Sequence, residues 1–135
     1  MYLLEALSSE QLSLPLQKGK SVEGQFAHVH NVRLMWLKAS APELNEKQQQ
    51  LEGTNLSKDA IAKRLGESSA AIRALIEQSI ETGKLKNFKP HVTAFVAYLV
   101  AHDANHRAHI ELALRQAGSP LPEKVAYGLW EWASR

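Results

Sequence analysis

Between Pro90 and Gly118 the side chains of Phe95, Leu99, His102, His106, His109 and Ala113 recur at steps of four and three. That rhythm is one face of an α-helix, and its length makes it the seam of a bundle helix, with histidines in the middle of the seam. A chain carrying such a seam must bury it against other helices. Pro90 is expected to open this helix, where its missing N–H costs nothing, and Gly118 to close it, with Pro120 and Pro122 blocking a return.

The remaining segments supply partners of the same kind. Leu3, Leu4 and Leu7 predict one or two helical turns over Tyr2 to Leu7, interrupted by Ser8-Ser9 and Leu14-Pro15-Leu16. From about Val22 to Lys38 a helix is expected, with Phe26, Val29, Val32, Trp36 and Leu37 inward and Asn31 and Lys38 opposite. Ala39 to Asn55 reads as a solvated connection with room for a helical turn. Ser57 is placed as the N-cap of a long helix over Lys58 to Thr82, with Ile61, Leu65, Ile72, Leu75 and Ile76 inward and Gly83 at its end. Lys84, Lys86 and Lys89 mark a solvated basic loop. Glu123 to Arg135 predicts a short helix whose aromatics, among them Tyr127, Trp130 and Trp132, cover an end of the bundle. No strand or glycine-rich phosphate loop is signalled, so the fold class is all-α, as one domain over residues 1–135.

Composition narrows the chemistry. The chain has no cysteine among its 135 residues, which removes disulfides, thiolate metal sites and cysteine nucleophiles. The net charge is +2, with Lys and Arg scattered rather than striped, so no nucleic-acid partner is expected. No segment has the roughly 20 uncharged apolar residues of a membrane helix, nor does the N-terminus read as a signal peptide. The sequence is therefore read as cytoplasmic.

Any metal must then be held by His and carboxylate. His102 and His106 stand four apart, one turn along one helical face, close enough to share an ion. Asp103 occupies the position where the zinc-protease motif needs Glu, so that motif does not apply. A third ligand has to come from another helix, and the segment with His28 and His30 is the other one that carries histidine. The two flank its apolar face, and periodicity does not choose between them. Three imidazoles with an open position make a catalytic rather than a structural arrangement, suited to zinc, nickel, copper or iron(II). His91 is expected to be exposed at the helix start. His109 is read as a hydrogen-bonding partner of a ligand, a ligand, or a core polar group. Asp103, Arg33 and Arg107 are polar neighbours read as solvated surface ahead of the alternative that they orient ligands or bind substrate.

The segments Phe26-Ala-His-Val-His-Asn-Val-Arg-Leu-Met-Trp-Leu37 and His102-Asp-Ala-Asn-His-Arg-Ala-His-Ile-Glu-Leu-Ala-Leu-Arg-Gln-Ala-Gly118, with the ending Tyr127-Gly-Leu-Trp130, resemble the DinB-like (DinB/YfiT) superfamily of metal-binding four-helix bundles. The resemblance covers about residues 3 to 132. It implies one divalent ion, nickel or zinc, on His28, His102 and His106, with His30 as the fallback for the first and His109 standing where the family has Gln. Relatives normally have a full helix before the segment resembling Leu3-Leu-Glu-Ala-Leu7, so the first helix is expected to be truncated. Two consequences are expected as alternatives: a second copy covers the exposed seam as a homodimer, or the start is internal to a longer protein. The function implied is a metal-dependent thiol transferase or isomerase, or a hydrolase, acting on a small molecule, with a low-molecular-weight thiol as a partner in the first case. The competing reading is a non-catalytic helical binding or stress-response protein whose histidines pack a polar core.

Overall fold

The computed structural model describes residues 1–131 and 133, and every regular element in them is a helix. In order these are α1 (Tyr2–Ala6), α2 (Ser9–Leu12), α3 (Val22–Ser40), α4 (Pro42–Asn45), α5 (Lys58–Thr82), α6 (Val92–Gln116) and α7 (Glu123–Gly128). None is long and apolar enough to cross a membrane.

The long helices start and stop for local reasons. Ser21 and Ser57 accept from the backbone N–H groups of Gly24 and Ala60, satisfying donors that a helix leaves open at its start. Gly83 ends α5 at φ +66°, a left-handed conformation that costs glycine nothing. The expectation for Pro90 is corrected by one cap: α6 begins at Val92, and His91 is its N-cap, its ring accepting from the Thr93 N–H. α2 was not foreseen. Ser8-Ser9 does not merely interrupt, because Ser8 and Gln11 close a reciprocal capping box that starts a new turn.

Two apolar clusters give the layout. One joins Leu4, Leu12, Val22, Phe26, Val29, Ile61, Leu65, Ile110 and Leu114; the other joins Leu37, Ile72, Leu75, Phe95 and Leu99. The N-terminal halves of α3 and α5 thus lie together with the C-terminal half of α6. α3 and α5 run parallel, α6 runs against both, and residues 41–57 carry the chain back along the bundle. Between the clusters lies a polar layer: His28 and His30 on α3, Ser68 on α5, and His102 and His106 on α6.

Three further expectations change. Asn31 does not face away, because its amide donates to the Leu51 carbonyl at 2.9 Å and accepts from the Leu51 N–H at 3.0 Å, pinning the returning connection to α3. Tyr127 and Trp130 are 67% and 69% exposed, so they do not seal the bundle end. Trp132 lies outside the described residues.

Candidate metal centre

α3 and α6 each turn part of one side toward the other, and the meeting point is histidine. Ligand atoms of His28, His102 and His106 all lie within 4.8 Å of one another. The ring centroids of His28 are 5.4 Å from His102 and 4.6 Å from His106, and those of His102 and His106 are 4.5 Å apart. A four-coordinate ion with bonds of about 2.0–2.1 Å sets its nitrogens about 3.4 Å apart, within small ring rotations of this arrangement.

The protonation state suits ligation. Burial, followed by the neighbouring imidazoles of His102, His28 and His109, pushes His106 down to about 4 against a partial counter-effect of Asp103. Burial, then His102 and Lys20, also lowers His28. Both rings are therefore neutral at pH 7, with a lone pair free. Orientation is supplied from behind. The Gln25 side-chain amide donates to the Lys20 carbonyl at 3.3 Å, which turns its Oε1 toward Nδ1 of His106 at 2.7 Å. An amide oxygen only accepts, so Nδ1 carries the proton and Nε2 is the ligating nitrogen. Tyr98 stacks on His102 at 5.8 Å, and Oδ1 of Asp103, buried without a hydrogen bond, lies 3.5 Å from His102 Nδ1. A set of three converging imidazoles, one with a fixed tautomer, fits a divalent ion.

His30 is placed elsewhere. It is fully buried on the α5 side, with Nδ1 3.0 Å from Ser68 Oγ and Nε2 2.9 Å from the Gln49 carbonyl, so both ring nitrogens are used in the core. His109 meets His106 edge-on at 5.7 Å but is not part of the cluster of three. His91 is exposed, as expected. Asp103 and Arg33 are not separate solvated groups: they form an ion pair of 2.5 Å that bridges α6 and α3. Arg107 is also corrected, since its guanidinium lies 4.8 Å over the Trp130 ring and its side chain is only 23% exposed. Gln25 escaped the sequence reading. The available signal was its position one turn before His28, on a stretch where Val22, Phe26 and Val29 are otherwise apolar.

His106 is shared with a cleft of about 600 Å³ running between α5 and α6, floored by Phe26 and Val29 of α3. Leu65, Gly66 and Ala70 form one wall, and Asp103, His106, Arg107 and Ile110 the other.

No curated protein and no solved structure matches the chain. A family model does, over residues 1–133, nearly the whole length, and its description is the DinB family. With a helical fold and an inter-helical cluster of three histidines beside that match, the chain belongs to the DinB family.

Proposed function

We propose that the chain is a metal-dependent enzyme holding one divalent ion, nickel or zinc, through His28, His102 and His106. The observation that carries this is the convergence of three imidazoles from two helices. At least one of them, His106, is held by an acceptor on its far nitrogen, an arrangement a purely structural polar layer does not require. Such an ion supplies Lewis acidity that lowers the pKa of a bound thiol or water. The chain's own part is to keep the His28 and His106 rings neutral, to exclude bulk water by the apolar layers above and below, and to offer the cleft at His106 to a small molecule. The reaction class proposed is transfer or isomerisation with a low-molecular-weight thiol, with metal-assisted hydrolysis as the form that needs no thiol. The core-polar reading describes His30, whose two nitrogens have protein partners, but leaves the clustering of the other three unexplained.

Elemental analysis of protein purified without a histidine tag is expected to give about one equivalent of nickel or zinc. His106→Ala should remove it while the helical circular dichroism stays. Absence of metal together with a melting temperature unmoved by chelator rejects the assignment. A turnover screen with and without small thiols then separates transferase from hydrolase.

A further inference from the structure

The cleft beside His106 has its own chemistry. Its volume, about 600 Å³, falls within the range of roughly 300–1,000 Å³ typical of small-molecule pockets. Leu3, Phe26, Val29, Leu65 and Ile110 make its interior apolar, while the charged side chains in its lining are unbalanced: Arg33, Arg73 and Arg107 against Asp103 alone. Two of the three cations are already engaged. Arg33 pairs with Asp103 at 2.5 Å, and Arg73 pairs with Glu77 at 2.8 Å on an exposed surface.

Arg107 is different. Its closest carboxylate, Glu111, is 4.0 Å from Nε, at the limit of an ion pair. Its guanidinium carbon lies 4.8 Å over the Trp130 ring, a cation–π contact with an aromatic face rather than a carboxylate. The planar guanidinium fork matches the two oxygens of a carboxylate. Arg107 follows directly after His106 in sequence, and both residues line the cleft.

We propose that this cleft is the substrate pocket, that it selects a small, mostly apolar molecule bearing a carboxylate, and that Arg107 binds the carboxylate. Its catalytic meaning rests on the triad reading above; the binding itself does not. Apolar surface anchors the body of the ligand, the fork fixes its orientation, and the remaining end of the molecule is carried toward His106. A neutral isostere leaves the Arg107 charge in a half-buried site without its anion, which is the source of discrimination.

The test is titration calorimetry with 3-phenylpropionate and its neutral amide, on chelator-treated protein so that no carboxylate can bind a metal ion. The acid should bind at least about tenfold more tightly than the amide; Arg107→Gln should erase the difference, and Arg107→Lys should restore part of it. His91→Ala, at an exposed imidazole outside the cleft lining, should keep the preference. Equal binding of acid and amide overturns the proposal. So does stronger binding of phenyl phosphate, or a dimer that Ala70→Glu in the cleft wall dissociates, since a second copy would then occupy the cleft. Metal content measured on the same samples separates the two readings. A carboxylate preference without stoichiometric metal in untreated protein leaves the pocket standing and fails the metal centre. One equivalent of metal without the preference does the reverse.

Discussion

At the scale of single residues the site depends on keeping imidazole uncharged. His106 titrates near 4 in the fold and near the ordinary 6.5 in the unfolded chain, so between these values the unfolded state binds a proton that the folded state refuses. The contribution of His106 to the stability of the metal-free protein should therefore be complete above about pH 6.5, fall as the pH is lowered toward 4, and level off below. Urea midpoints measured for the wild type and His106→Gln check this: the difference in slope should appear between about pH 6.5 and 4, and parallel profiles would refute the assignment. The pair His102 and His106 was readable from spacing alone, because helical periodicity fixes which side chains share a face. The choice of His28 over His30 was not, since both flank the same apolar stripe and the decision belongs to Ser68 and to the Gln49 carbonyl, which lie in other elements. Arg33 and Asp103 were misjudged for the same reason, their partners being 70 residues apart.

Among elements, α3 is the one that both others need. It packs on α5 through His30 and Ser68 and on α6 through the triad and the Arg33–Asp103 pair, while α5 and α6 leave the cleft between them. His30 also holds the returning connection by its bond to Gln49, next to the Asn31 clamp on Leu51. His30→Ala leaves Ser68 and the Gln49 carbonyl without that partner and opens a void, and it should cost about 2–4 kcal/mol. Chemical denaturation measures that loss, and metal content should not change. A variant that instead lost its metal at unaltered stability would move His30 into the site. The extents of α3 and α5 were legible from their apolar spacing and serine caps, whereas α2 was hidden in four residues, too short for any periodicity to register.

For the whole molecule, the all-α architecture followed from the absence of strand signals and from three long amphipathic stretches. The parallel arrangement of α3 and α5 did not, because a long connection is equally compatible with either direction until the apolar clusters show which halves meet. We propose a homodimer, which predicts a sedimenting species of about twice the 15.0 kDa chain mass. Exposed Met35, Val96 and Val100 are apolar side chains such an association would have reason to cover. A monodisperse monomer would rule it out.

The contact between Gln25 and His106 spans 81 positions of the chain. At ribosomal rates of about 5–20 residues per second, the first of these side chains is made roughly 4 to 16 seconds before the second. During that interval a nascent chain displays His28 without the two α6 imidazoles that face it in the fold, and a single imidazole on an emerging helix has little grip on an ion. An ion that needs all three rings could therefore be held only after α6 has been made.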